Sequence, residues 1–305
     1  MHRAWAFHLD VERELGARVR YQPKRRALAA AAAVLPALRE AFLRPGDLVL
    51  GESSDPEQAA GFLGCAWSPS SHALALLKRA GAQLPPTPGD AVLARVNRRD
   101  FVLEVDPAQA QDFGKRLVGS LAALRQELEP SPERRFLVRR AFGAAGRGSR
   151  PYGGRGASLE QEDPGLTWLR AGLELGPLVL EPLVEVELEL SLHAWLPRGA
   201  RQARIGHPCV SEVDAQRSWR STRRARAGEW TRAEETGLQG ALEKAAEALH
   251  KAGYFGPFGI DGLRYRRAPG APARLQPLGE LNARLSMGWG AGMGAAELTS
   301  WVEDR

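Results

Sequence analysis

The sequence predicts a mixed fold, α/β at its start and α+β after that, built from more than one unit. Three observations carry this reading. Short apolar strands alternate with helical stretches up to residue 89. The segment 185–196 alternates apolar and polar side chains with a period of two over twelve residues. Two closing strands, 258–266 and 274–282, flank a Pro269-Gly270-Ala271-Pro272 turn. The chain has 305 residues, of which 44% are hydrophobic and 26% charged, enough for a real core and too apolar for a disordered chain. Its net charge of +6 rests on arginine, since lysine occurs only at 24, 78, 115, 244 and 251, so the basic balance looks partly compositional.

In order, residues 4–9 read as a strand and 27–42 as a helix stopped by Pro45-Gly46. Residues 47–50 follow as a buried strand. Residues 72–79 form a short helix with Gly81 as its C-cap, and Pro85-Pro86-Thr87-Pro88 breaks the chain. A second unit opens at 91–97. A long helix over 107–128 ends at Pro130 and Pro132, and a strand at 136–140 runs into a glycine-dense loop, 143–156. A helix near 166–172 precedes a strand at 178–180. In the period-two strand, Val186, Leu188, Leu190, Leu192, Ala194 and Leu196 define one dry face, and an amphipathic helix, 234–252, ends at Gly253.

The closing hairpin carries the most chemistry. With its turn centred between Gly270 and Ala271, Asp261 and Glu280 lie directly opposite, at a Cβ spacing of about 5 Å. Asn282 is on the same face. Two carboxylates so close repel each other in a low-dielectric cleft, and a divalent cation resolves the conflict. All-oxygen donors favour Mg²⁺ or Mn²⁺ over zinc. Arg284 continues the parity toward whatever anion the cation holds. The competing reading is a solvent-facing hairpin with scattered acids. The loop 143–156 is either a flexible lid for phosphates or a plain surface loop, and it lacks a Walker A ending. Glu185, Glu187 and Glu189 stack on one parity, facing either nucleotide hydroxyls or water. Residues 217–232 hold six arginines, among them Arg223 and Arg226, interleaved with Trp219 and Trp230. That stretch can grip phosphates or an acidic substrate, contact nucleic acid, or be a solvated loop. His193 and His207 lack a partner at a catalytic spacing and read as structural.

Taken in order, these pieces resemble the ATP-grasp superfamily. Phe136-Leu137-Val138-Arg139-Arg140 with the glycine loop is similar to its small subdomain, and Leu178-Val179-Leu180-Glu181-Pro182-Leu183 to its adenine hinge. Glu189-Leu190-Ser191 resembles the strand that follows. Gly253-Tyr254-Phe255-Gly256-Pro257-Phe258-Gly259-Ile260-Asp261 and Glu280-Leu281-Asn282-Ala283-Arg284 resemble its metal-binding ending. The resemblance implies a Rossmann-like pre-ATP-grasp domain over 1–90, a nucleotide-lid subdomain over 91–182 and a metal- and phosphate-binding subdomain over 183–305. It also implies a carboxylate–amine ligase. ATP and Mg²⁺ (or Mn²⁺) are bound, a substrate carboxylate takes the γ-phosphate as an acyl phosphate, and an amine or similar nucleophile displaces phosphate.

Carried over residue by residue, Asp261, Glu280 and Asn282 become metal ligands. Glu181 and Leu183 become the adenine hinge, and Glu189, or else Glu187, the ribose acceptor. Arg284 stabilises charge on the transferred group. Arg139 stands where the family has a phosphate-binding lysine. The lysine expected just before the small subdomain is absent, with Arg98 or Arg99 as its substitute. Two alternatives stay open: a nucleotide-binding pseudo-ligase, and an arginine-rich nucleic-acid-binding protein. Small-molecule or peptide carboxylates and amines are the expected partners, nucleic acid is disfavoured, and a homodimer is compatible. No apolar run reaches the 20 or so residues of a membrane span, and no secretion signal is read at the N-terminus. Two distant cysteines, Cys65 and Cys209, suit a reduced, cytoplasmic protein.

Overall fold

Parallel strands bury both faces, so they need apolar residues at every position. The N-terminal elements satisfy this with β1 (Arg3–Ala6), α1 (Val11–Leu15), α2 (Arg25–Phe42), β2 (Leu48–Leu50), β3 (Leu63–Ala66) and α3 (Ser71–Arg79). Every residue of β1 and β3 is buried. The three strands are parallel, in the order β2-β1-β3. Arg3, although charged, is buried because Asp47 takes its Nε at 2.9 Å and its Nη2 at 2.6 Å. β3 was not expected: four residues interrupted by a glycine give too short a pattern. The α3 helix ends as expected, with Gly81 at φ +76°. The structure, a computed structural model, describes residues 2–17, 21–128, 135–143, 148–154, 164–213 and 219–294.

Next come α4 (Asp90–Val96), α5 (Phe101–Val105), α6 (Pro107–Phe113), β4 (Arg116–Val118), α7 (Leu121–Leu128), β5 (Arg135–Arg139), β6 (Ser149–Gly153), α8 (Pro164–Leu173) and β7 (Leu178–Pro182). The single helix expected over 107–128 is two helices with a strand between them. Gly114, at φ +97°, lets the N–H groups of Gly114 and Lys115 turn back onto the Ala110 carbonyl and close α6. Three residues of β4 are too few to show a period of two. The expected glycine loop contains β6, which pairs with β5; residues 144–147 and 155–156 of it lie outside the described residues. These strands form an antiparallel sheet, β4-β7-β5-β6, packed on α7 and α8 through Leu124, Val138, Leu169 and Leu178. Leu93, Val96, Phe101 and Val102 of α4 and α5 pack in the core of the larger sheet that follows.

That sheet comprises β8 (Glu185–Leu196), β9 (Arg204–Ile205), β10 (Cys209–Val213), β11 (Trp219–Arg224), β12 (Gly256–Arg266) and β13 (Arg274–Asn282), with α9 (Arg232–Lys251) before β12 and α10 (Trp289–Gly292) after β13. Its order is β11-β10-β8-β12-β13, with β9 on β8. The apolar parity of β8 packs on α9, as Leu190, Leu192 and Ala194 meet Leu238, Leu242 and Ala245. The other parity is wet only at its start: Ser191, His193 and Trp195 are buried too, because Trp195 packs with Trp5, Trp289 and the N-terminal unit. His193 is hydrogen-bonded to Ser286 at 3.2 Å, and burial lowers its pKa to about 4, so it is a neutral structural residue. The arginine-rich stretch, expected as a loop, is partly strand β11; Arg217 lies outside the described residues.

Thr231 caps α9, accepting from the Glu234 N–H while Glu234 accepts from the Thr231 N–H. Thr231→Ala is expected to lower stability by about 1 kcal/mol in chemical denaturation.

Candidate active site

Cross-strand partners share a face, so the β12–β13 register decides what the hairpin can hold. Asp261 pairs with Glu280, and Gly259 with Asn282. The route to that register differs from the expected one. Nearest the turn, Tyr265 pairs with Arg274, which centres the turn between Pro269 and Gly270, one residue early. A bulge between Asp261 and Leu263 restores the register: β13 contributes Pro277, Leu278 and Gly279 where β12 contributes Gly262 alone.

β8 extends the same face, since Ser191 pairs with Asp261 and Glu189 with Leu263. Asp261, Glu280, Asn282 and Glu189 therefore look away from α9. Burial, with the Glu280 and Glu189 carboxylates nearby, pushes the Asp261 carboxyl up to about 7 against the pull of Arg284 and a hydrogen bond from Asn282 Nδ2 at 2.8 Å. Glu280 lies in the opposite direction. Burial raises its pKa, but Arg99, Arg139, Arg284 and Lys115 together outweigh burial and hold it below the usual carboxylate range.

Three of those cations, Arg99, Arg139 and Lys115, come from outside the hairpin. Arg139, on β5, donates from Nη1 to Glu280 Oε2 at 3.0 Å and places Nε 3.2 Å from Glu181 Oε2. Arg99, between α4 and α5, lies 3.6 Å from Glu280 and donates to Ser149 Oγ at 3.0 Å and Gly143 O at 2.8 Å. It thus grips both ends of the β5–β6 connection. Its Nε is buried with no hydrogen-bond partner among the described residues. Lys115 lies 3.4 Å from Glu181. Burial would raise Glu181, yet Arg139, Lys115 and Arg99 keep it low.

Arg284 is buried beside Asn282, whose Oδ1 accepts from its Nη2 at 2.9 Å. Its Nε donates to Glu12 of α1 at 2.5 Å, so the N-terminal unit reaches the hairpin through this pair.

The structure thus brings together Arg139, Glu181, Glu189, Asp261, Glu280, Asn282 and Arg284. It separates others. Arg98 is turned away, both its Nε and Nη2 bound to Asp100, and Arg99 takes the inward place. Glu187 is exposed and paired with Arg266. Arg223 pairs across the ladder with Val210, which packs in the α9-side core, and is held by Glu229 and Glu212. Arg226 is exposed, with its backbone N–H on Glu229. Neither arginine is placed on the hairpin face; of the stretch read as a phosphate or acidic-substrate grip, a nucleic-acid contact or a solvated loop, Arg223 pairs locally and Arg224 donates from Nε to the Ala291 carbonyl at 2.8 Å. Leu183 follows β7 and donates its N–H to Arg135 O. Lys115 and Glu12 were missed. Lys115 lay inside the presumed long helix, and nothing in a single sequence pairs residue 12 with residue 284.

Among the described residues, no three His, Cys, Asp or Glu side chains gather as a metal cluster. The donor set is instead two carboxylates and an amide on one face. It fits a hard cation: burial first, and then the Glu280 and Glu189 carboxylates beside it, raise Asp261, and a divalent cation held there would offset that cost.

The sign of a pH effect follows. Between pH 4 and 7 the unfolded Asp261 carboxyl is ionised while the folded one keeps its proton, so stability falls as pH rises. In metal-free buffer, Asp261→Asn is expected to exceed the wild type by about 1–3 kcal/mol at pH 8, with the gap closing toward pH 4. A gap that does not vary with pH in paired denaturation curves contradicts the raised carboxyl.

No protein-family model and no curated protein matches the sequence. Solved structures do match it. A D-alanyl-alanine synthetase A from Vibrio cholerae aligns over 99% of this chain and 98% of its own, with a TM-score of 0.57 at 12% identity. A D-cycloserine synthetase aligns over 100% and 99%, with a TM-score of 0.55 at 17% identity. The biotin carboxylase domain of the Hydrogenobacter thermophilus 2-oxoglutarate carboxylase, solved with ADP, its magnesium salt and bicarbonate, aligns over 94% and 59%, with a TM-score of 0.54 at 13% identity. The sheets and the whole-chain alignments agree with what the hinge and hairpin motifs implied: this chain has the ATP-grasp fold.

Proposed function

We propose that this protein is a Mg-ATP-dependent ligase. A substrate carboxylate oxygen attacks the γ-phosphorus of ATP, the bond to the bridging oxygen breaks, and ADP leaves. An amine or similar nucleophile then adds to the acyl phosphate, phosphate departs, and the amine proton goes to solvent. The observation that carries this reading is the pairing of Asp261 with Glu280 on one face, opposite the buried Arg99 and the half-buried Arg139, within this fold.

Asp261, Glu280 and Asn282 would hold Mg²⁺ or Mn²⁺, which when bound neutralises phosphate oxygens. Arg139 and Arg99 would bind phosphate. Catalysis would then rest on positioning and charge rather than on a base. His193 is neutral and fully enclosed, and it offers none. Glu181 spends its carboxylate on Arg139 and Lys115, so the hinge would read adenine chiefly through backbone groups near Leu183. Glu189 is the better ribose acceptor, because it looks across the hairpin face while Glu187 is paired at the surface. Arg284 would steady charge on the transferred group.

The parallel order β2-β1-β3 supports a Rossmann-like N-terminal domain. The cores support a lid that starts at β4 and ends with β7, shorter than 91–182. Small-molecule carboxylates and amines in the cytoplasm complete the proposal, consistent with two buried free thiols. No described helix is long and apolar enough to cross a membrane. Arginine at position 139 favours one second reading, nucleotide binding without turnover, because a fork places its charge differently from an ammonium.

Release of ADP from Mg-ATP across a panel of carboxylates and amines tests the proposal. Turnover is expected with at least one pair. ATP binding without turnover supports the second reading, and absence of both turnover and ATP binding sinks the first and second together. Glu280→Ala is expected to cut turnover by about 100-fold or more while the far-ultraviolet spectrum stays unchanged.

A further inference from the structure

The bulge in β13 has a backbone cost. Pro277, Leu278 and Gly279 face only Gly262 across the ladder, so carbonyls are released from pairing in the interior. A buried carbonyl without a partner costs about 1–3 kcal/mol. Lys115 meets both that matter. Its Nζ donates to Gly279 O at 2.6 Å and lies 3.3 Å from Leu278 O. Gln276 Nε2 adds a second bond to Leu278 O at 3.0 Å. The third direction of the ammonium faces Glu181 Oε1 at 3.4 Å. Only 1% of the Lys115 side chain is exposed, so it is enclosed among these partners and does not project into a cleft.

The Gly279 carbonyl belongs to the peptide group whose nitrogen is that of Glu280. Holding it fixes the plane from which the Glu280 side chain departs. The other side of that plane is also confined, since a Cβ on Gly279 would lie 2.9 Å from the Asp261 carbonyl oxygen. Lysine suits the place because three donors radiate from one nitrogen toward two carbonyls and a carboxylate. An arginine fork is planar and cannot converge on all three.

We propose that Lys115 is a positioning residue for Glu280: its ammonium fixes the β13 bulge that sets the Glu280 carboxylate opposite Asp261, and it keys Glu181 of the four-stranded sheet to the same point. The inference rests on the Mg-ATP reading of the hairpin. It assigns Lys115 no contact with nucleotide.

The test is a magnesium titration of thermal stability at saturating ADP, on wild type, Lys115→Met and Lys115→Arg. Lys115→Met is expected to keep the wild-type circular dichroism spectrum and to bind ADP in EDTA within about 3-fold. Its magnesium midpoint should rise about 10-fold or more, the size typical when a residue supporting a metal ligand is lost. A purely structural role would lower stability at every magnesium concentration and leave the midpoint alone. Lys115→Arg, which keeps the charge but not the three-way geometry, should shift the midpoint by about 3-fold or more. If Lys115→Met fails to fold, the arginine variant decides by the same midpoint. An unchanged midpoint against a responsive wild type overturns the role of Lys115 alone. A wild type with no magnesium-linked response to ADP or ATP brings down the Mg-ATP reading and this proposal with it.

Discussion

Two carboxylates kept ionised inside the protein are the constraint on which the candidate site depends. Glu181 comes from the four-stranded sheet and Glu280 from the larger one. Burial raises the pKa of each, and the cations that converge on each outweigh burial and hold it below the usual carboxylate range. Arg139 touches both, Arg99 adds to Glu280, and Lys115 adds to Glu181. Charges so placed are costly to assemble and costly to break one at a time. The seam therefore ties two units at one point and presents positive charge where a polyphosphate would lie.

The larger sheet makes that seam possible by separating its faces. α9 covers one side with Leu238, Leu242 and Leu249, and the strands answer with Leu190, Leu192, Phe258 and Ile260. The opposite side is left for polar work: Glu189, Asp261, Glu280 and Asn282. Because a strand alternates strictly, the apolar demand on one face fixes which residues stand on the other. Within the hairpin, the bulge at residues 277–279 breaks that alternation and brings Glu280 into line with Asp261.

The N-terminal unit closes the third side. Glu12 holds Arg284, and Trp5 and Trp67 share a core with Trp289; Asn97, at the end of α4, adds a further hold, its Oδ1 accepting from the Ala283 N–H at 3.0 Å. The chain after β13 is thereby clamped just past the candidate metal ligands. The same contact explains why the polar parity of β8 turns dry from Ser191 onward: a second layer covers it.

The sequence by itself determined what local pattern and side-chain chemistry can determine. The dry face of β8, the amphipathic helix α9 with Gly253 at its end, the closing hairpin and the placing of Asp261, Glu280 and Asn282 on one face were all legible from residues 185 to 284, because period and turn residues act over short distances. Tertiary structure decided the rest. Arg99 rather than Arg98 faces inward because Asp100 captures its neighbour. Lys115 is buried against the Leu278 and Gly279 carbonyls, a place the sequence did not show because Gly114 ends a helix that periodicity ran through. Even the Asp261–Glu280 register, read correctly, depended on a turn one residue early being offset by a bulge. Charge placement is set by partners more than 100 residues away, as with Arg139 and Glu280, and no local pattern encodes which distant carboxylate a cation will meet.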